Sequence, residues 1–320
     1  MAERPTRRLR EYLPRLAGDA SAGPSRSQGE AGFIVVAVLW ILALLAALIS
    51  TYAVYVTNAA VSLSVNDDRV QCEALVSAAL ELTAYQLTSV NQNARPTRGE
   101  FAFQMQGARV MVQFRSEAAR IDLNAAPKEL LAGLFTSLGA SYGDAEYYAD
   151  RIAAWRSKPV GAEPNSEADA YRTAGLSYAP RQGPFASVGE LWLVLGLPPA
   201  LVQRALPYVT VFSGMPSVNV LDAAPEVVAA LPGMSPDRLY AVLNQRGGTG
   251  PQNGPSVLAL LGSAQSAATI DGSKATRMIV SIAFDRGRRV SAEAVILPLD
   301  NADQPYRVLY WRDDFDGGAA

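Results

Sequence analysis

The sequence predicts an α+β fold: one long N-terminal helix, followed by an antiparallel sheet whose strands are separated by a large helical insertion. Three observations predict it. Positions 33–56 form a run of 24 residues without a charge. Apolar and polar residues alternate around Gly107 and again beyond residue 276. The interval from about Leu123 to Leu261 carries helical periods punctuated by prolines.

A chain of 320 residues accommodates two folded units and one anchor. Its 28 basic and 30 acidic residues leave a net charge of -2, which excludes a global positive field that would gather nucleic acid. There is no histidine. That removes histidine triads, His-containing zinc sites and the usual general base near neutral pH. The single cysteine, Cys72, cannot form an intramolecular disulfide, and no histidine is present to activate it; its apolar helical surroundings mark it as a buried helix residue.

The first element begins after a basic lead-in. Residues 1–32 hold six arginines, at positions 4, 7, 8, 10, 15 and 26, against four acidic residues. The uncharged run that follows is about 36 Å long as a helix, enough to cross a bilayer. Asn66, Asp67 and Asp68 lie beyond it, so the N-terminus is expected inside the cell and the bulk of the chain outside. Apolar residues continue at Val61, Leu63, Val65, Val70, Leu75, Leu80, Leu82 and Leu87, as expected of one long helix that is half in the membrane and half against a globular head. From the residues alone, a cleaved secretory signal, a simple signal anchor and a processed anchor all stay open, although the run is longer than a signal-peptide core.

The alternation over 99–114 predicts an antiparallel hairpin turning at Gly107. Residues 276–284 and 290–299 flank Asp285-Arg286-Gly287-Arg288 and predict a second one, with 306–311 as a last strand. The strands must meet in one sheet if their edges are to be satisfied.

Within the insertion, Ile121-Asp122-Leu123-Asn124-Ala125-Ala126-Pro127 resembles Val218-Asn219-Val220-Leu221-Asp222-Ala223-Ala224-Pro225. Asn124 and Asp222 are expected as N-caps, each with a proline in the first helical turn. The second copy leads into Leu231-Pro232-Gly233-Met234-Ser235-Pro236, a helix-hairpin-helix pattern in which Ser235 caps the second helix. Such hairpins can offer amides to phosphate, so a membrane-tethered DNA-binding protein is the alternative reading; only Arg238 is basic between Asp222 and Leu243. The glycine-rich stretch 246–254 lacks the Lys-Ser or Lys-Thr of a phosphate loop and is expected to be a flexible connector. No spacing singles out a catalytic carboxylate pair, and no enzymatic activity is expected.

The segment Gly29-Glu30-Ala31-Gly32-Phe33-Ile34-Val35-Val36-Ala37-Val38-Leu39-Trp40 resembles a type IV prepilin cleavage region. Together with Arg120-Ile121-Asp122-Leu123-Asn124-Ala125-Ala126, Gly161-Ala162-Glu163 followed by Tyr171, Pro184-Phe185-Ala186-Ser187-Val188-Gly189-Glu190-Leu191 and Pro207-Tyr208-Val209-Thr210-Val211, it resembles the K-type minor pseudopilins of type II secretion systems. The resemblance implies a pilin-like sheet and cleavage after Gly32 by a prepilin peptidase, which leaves a methylated Phe33 as the first mature residue. It implies Ala37 where most pilins have glutamate, which suits a subunit with no neighbour ahead of it, since an uncompensated carboxylate in lipid is costly.

By the same resemblance the protein is held in the bacterial inner membrane by a single pass and acts at the pseudopilus tip. Its implied partners are other minor pseudopilins and the major pseudopilin; nucleic acid is not expected. The implied parts are a leader (1–32), a membrane segment (33–56), the helix continuation and first strands (57–122), the helical insertion (123–261) and the last strands (262–320). Proteins of this type can bind calcium. Here the aspartate run expected ahead of Gly161 is replaced by a stretch containing Arg156 and Lys158, which leaves Glu163 as the best candidate ligand, with Glu167 and Asp169 near it.

Overall fold

The computed structural model describes residues 28–91, 94–158, 166–247, 254–285, 287–299 and 304–315. In chain order, helix α1 (Gln28–Thr88) precedes strands β1 (Arg98–Met105), β2 (Ala108–Ser116) and β3 (Ile121–Asp122). The insertion continues with α2 (Lys128–Ser137), α3 (Tyr142–Arg156), α4 (Ser166–Thr173), α5 (Pro199–Ala205), β4 (Val209–Thr210) and β5 (Val218–Asn219). It closes with α6 (Pro225–Ala229), α7 (Pro236–Gly247), α8 (Gly254–Leu261) and β6 (Ala268–Thr269), before β7 (Thr276–Phe284), β8 (Arg289–Pro298) and β9 (Tyr306–Asp313). The chain divides into two units, Met1–Val65 and Asn66–Ala320.

In the second unit, α1 buries Cys72, Leu75, Val76, Ala79, Leu80, Ala84 and Leu87. These positions recur every three or four residues and form one stripe, which packs against the inward residues of the sheet, among them Val110, Val112, Val280 and Ile282. Val70 and Leu82 belong to the expected apolar pattern but lie off this stripe and are 58% and 40% exposed. One-sided packing on a sheet uses only that stripe. Cys72 is buried as its context predicts.

The five-stranded sheet has the order β1-β2-β7-β8-β9, antiparallel throughout. Gln106 and Gly107 turn the first hairpin with φ of 54° and 71°, the positive pair that a two-residue turn needs to match strand twist. Gly99 faces Phe114 across the ladder, and the aromatic ring occupies the space where a Cβ would stand. At the far edge, Tyr306 Oη donates to Glu81 Oε1 (3.1 Å), tying β9 to α1. Burial and then Glu81 push the Tyr306 pKa up to about 12.

The insertion has its own core, from Ile121 to Ala267. It consists of two related halves. In each, a two-residue strand enters a helical pair and a second two-residue strand closes the half in parallel: β3 pairs with β4, and β5 pairs with β6. Asp122 turns the first half, its Oδ1 accepting from the backbone N–H groups of Asn124 (2.8 Å) and Ala125 (3.2 Å). Asn219 does the same in the second, its Oδ1 accepting from Leu221 (2.9 Å).

Neither expected N-cap serves as one. The cap positions are Pro127 for α2 and Ala224 for α6, and neither makes a side-chain bond. Asn124 instead accepts from the Phe185 N–H (2.7 Å) and donates to its carbonyl (3.1 Å). Asp222 pairs with Arg98 at 3.4 Å. The Ala-Ala-Pro triplets of the two copies are one residue out of structural register, so the equivalent turn residues are Asp122 and Asn219.

Each half is locked by an arginine at the end of its second helix. Arg156 donates to the carbonyls of Leu123 (2.5 Å) and Ala126 (2.7 Å); Arg246 donates to those of Val220 (3.0 Å) and Ala223 (2.6 Å). Burial lowers the pKa of both arginines from its ordinary value. Arg246 is therefore part of α7 and not of a connector; residues 248–253 lie outside the described residues.

Candidate assembly site

The apolar stretch Phe33–Asn58 is 26 residues long and packs against nothing in its unit. Phe33, Trp40 and Tyr55 are 76%, 73% and 72% exposed. At about 1.5 Å per residue the stretch is about 39 Å long, more than the hydrocarbon thickness of a bilayer. Its two threonine hydroxyls are satisfied within the helix, Thr51 donating to the Leu48 carbonyl (2.9 Å) and Thr57 to that of Ala53 (2.8 Å). A helix surrounded by lipid needs that, since no water is present to take the bond. Gly32, Phe33 and Ala37 all lie within α1, and Ala37 is only partly exposed. The leader 1–27 lies outside the described residues.

Glu163 also lies outside them. Two acidic residues that follow it in the chain are described, and each is paired with an arginine. Glu167 Oε2 pairs with Arg151 Nη1 at 2.8 Å, and Asp169 pairs with Arg172 at 2.7 Å. Burial raises the Glu167 pKa, with Arg151 pulling the other way. No group of three or more His, Cys, Asp or Glu side chains able to hold a metal occurs among the described residues. A calcium ion requires roughly six to eight oxygen ligands; Glu167 and Asp169, each paired with an arginine, do not supply that number by themselves, although Glu167 Oε1 is buried with no hydrogen-bond partner among the described residues.

The motif residues of the insertion hold its core. Phe185 stacks on Trp155, whose indole N–H donates to Glu190 Oε2 (3.1 Å). Glu190 Oε1 accepts from Arg181 (2.8 Å) and from the Ala186 N–H (3.2 Å). Tyr171 is fully buried, its oxygen accepting from the Leu195 N–H (2.8 Å), and burial pushes its pKa up to about 12. In the helix hairpin, Ser235 Oγ accepts from the Arg238 N–H (3.4 Å), as expected of the cap. The exposed Arg238 guanidinium donates to the Gly233 carbonyl (3.1 Å) and to Ser263 (3.4 Å). It ties the hairpin to the next turn of the chain.

One polar site has no signature in the sequence. Where the sheet meets the insertion, a cavity of about 560 Å³ is lined by Arg98, Arg115, Arg120 and Arg277 together with Glu100 and Glu117. Arg277 bonds Glu117 through two nitrogens (2.6 and 3.2 Å) and Glu293 through a third (2.5 Å). Thr210 also donates to Glu117. Burial works against the Arg277 charge, yet the bonds from Glu117 and Glu293 outweigh it and raise its pKa. Burial lowers the Arg120 pKa, and the neighbouring Arg277 lowers it further.

The family model described as type II secretion system (T2SS), protein K matches residues 111–214, about a third of the chain. That span runs from β2 through the whole first half of the insertion. No curated protein sequence matches the chain. Among solved structures, a chain of the GspK-GspI-GspJ complex from the enterotoxigenic Escherichia coli type 2 secretion system is similar, with a TM-score of 0.60 and 17% identity. The similarity covers 78% of this chain and 98% of that one, including the long helix, the antiparallel sheet and the helical insertion. Over residues 111–214 the chain matches the family model of type II secretion system protein K, and over most of its length it shares the fold of the similar Escherichia coli chain.

Proposed function

We propose that the protein is a minor pseudopilin of a type II secretion system, a structural and non-catalytic part of the pseudopilus tip complex in protein export across the outer membrane. The observation that carries this reading is the architecture. A two-part helical insertion interrupts a five-stranded antiparallel sheet backed by one long helix, and the similar Escherichia coli chain comes from a complex with two other pseudopilins.

In this reading the stretch Phe33–Asn58 anchors the protein in the inner membrane by a single pass, with the N-terminus cytoplasmic and the head periplasmic. A prepilin peptidase cuts after Gly32 and Phe33 becomes the methylated N-terminus. The membrane segment (33–56) then packs against the equivalent helices of other minor pseudopilins and of the major pseudopilin, by van der Waals fit in place of a hydrophobic driving force. Ala37 brings no carboxylate into the lipid, which suits a subunit at the end of a filament. Residues 57–122 and 262–320 supply the sheet side of the head and 123–261 the helical side. The reading does not depend on calcium at Glu163, since Glu167 and Asp169 are each paired with an arginine. Duplex binding has no support, because Arg238 is the single basic residue between Asp222 and Leu243 and its guanidinium is engaged by the Gly233 carbonyl and Ser263.

Co-expression of the full chain with its counterparts of GspI and GspJ tests the reading. The expected result is a co-purifying complex, loss of export when the gene is deleted, and a mature chain whose mass begins at methylated Phe33. A mature chain that starts beyond the apolar stretch, or unchanged export after deletion, overturns it.

A further inference from the structure

Three arginines stand in one row across the sheet: Arg98 on β1 is directly opposite Arg115 on β2, which is directly opposite Arg277 on β7. Directly opposed side chains share a face, and like charges there repel. The row therefore needs compensating carboxylates, and two of its members have them. Arg277 is bound by Glu117 and Glu293. Arg98 reaches the buried Asp222.

The other two cations of the cavity have no carboxylate bonded to them, although Glu117 and Glu293 act on the Arg120 charge from farther away. Among the described residues no carboxylate lies within ion-pair distance of Arg115, which is exposed, or of Arg120, which is half-buried. Glu100, two residues along from Arg98, sits diagonal to Arg115, and both oxygens of Glu117 are taken by Arg277. Helix packing adds to the imbalance, since Arg246 feels the charges of both Arg98 and Arg115.

We propose that this cavity binds an acidic polypeptide segment of a partner protein, which places a carboxylate between Arg115 and Arg120. Two features select that chemistry. Arginine forks match a planar carboxylate through paired hydrogen bonds. Glu100 and Glu117 in the lining oppose a doubly charged phosphate more than a singly charged carboxylate. Tyr208, Val227 and Ile279, which line the same cavity, supply apolar footing for the neighbouring residues of the segment.

Fluorescence anisotropy of a labelled eight-residue peptide of alternating glutamate and valine, titrated with the full chain in nonionic detergent, tests this. The expected result is saturable binding, at least ten-fold tighter than for the matched glutamine-valine peptide. It should weaken at least ten-fold in the double variant R115Q/R120Q and stay unchanged in R172Q. Absent binding, equal binding of the two peptides, or an undiminished double variant overturns the proposal. So does displacement by inorganic phosphate beyond that by chloride at the same ionic strength, which would mark a general anion site. Thermal unfolding separates binding from folding: Arg115→Gln relieves the row and should melt no lower than the parent, whereas a drop of several degrees would make Arg115 structural and overturn the assignment. Failure here leaves the tip-complex reading standing, since that reading does not involve this cavity.

Discussion

In the first half of the helical insertion the buried residue that turns the chain from strand to helix is Asp122, and in the second half it is Asn219. Both accept backbone N–H groups just ahead of them in the chain. The rest of each side chain looks across to the loop that follows the partner strand, and there the polarity reverses. After β4 that loop presents donors: Gly214 N–H (2.7 Å) and Ser213 Oγ–H (3.1 Å) bind Asp122 Oδ2. After β6 it presents acceptors: Asn219 Nδ2 donates to the carbonyls of Ile270 (3.0 Å) and Asp271 (3.3 Å). A carboxylate accepts only and an amide does both, so the choice of acid or amide follows from which backbone groups the closing loop turns inward.

The halves also differ in length between the helical pair and the closing strand. The first interposes α4, a 3-10 turn, α5 and a second 3-10 turn before β4; the second goes through α8 and a 3-10 turn to β6. The family match covers the first half and stops at residue 214, before the second begins.

The largest expected effect comes from separating the halves where they touch. A Cβ at Gly133 of α2 would stand 2.0 Å from the Ala230 carbonyl oxygen, just past α6. Gly133→Ala must push backbone from backbone and should lower stability by about 3 kcal/mol or more, read from the urea midpoint of the full chain. A midpoint within experimental error of the parent would show that the halves slide freely.

Exchanging the two turn residues sharpens the polarity argument. Asn219→Asp sets a buried carboxylate against two carbonyls and should cost about 3 kcal/mol, and Asp122→Asn turns an amide donor toward donors and should cost about 2 kcal/mol. The double exchange should be as unstable as the sum, because the two sites share no partner. Rescue in the double exchange would mean that the sites communicate.

A smaller contrast is expected at the two clamps. Arg156→Met leaves two carbonyls without their charged donor and should cost about 2 kcal/mol. Arg246→Met should cost less, about 1 kcal/mol, because it also removes a cation from beside Arg98 and Arg115. Equal losses would show that those neighbours do not matter.

The smallest effect is one of pH and belongs to the first half alone. Burial raises the Glu167 pKa in the folded protein. Folding therefore takes up a proton between the unfolded and folded pKa values, and stability should fall as pH rises through that interval. Glu167→Gln should flatten the slope above pH 4.5, and an unchanged slope would assign the pH dependence to other groups.

Much of this architecture is legible in local pattern. The apolar run, the alternation on either side of Gly107 and the segments around 285–288 all specify elements whose residues lie close together in the chain. The two-residue strands β3 to β6 leave no alternation to detect, and their partners are remote in sequence. Asn124 and Asp222 have the right chemistry for caps and the right place before a proline, but each is claimed by a tertiary partner, Phe185 in one case and Arg98 in the other. Arg246 sits at the start of a glycine-rich stretch, and only the fold shows that its guanidinium reaches back to two carbonyls. The arginine row is of the same kind: Glu117 and Arg277 stand 160 residues apart, and nothing near either one announces the other.

The sequence by itself determined the long helix, its membrane-crossing length, the hairpins and the presence of a helical insertion, because periodicity and charge along the chain report which face of an element is apolar. Tertiary structure alone decided which helix residues meet the sheet, which polar groups pair in the insertion core, and that cations from three strands line one cavity. A residue's type records what it can bond. Its partner is set by how distant segments come into register.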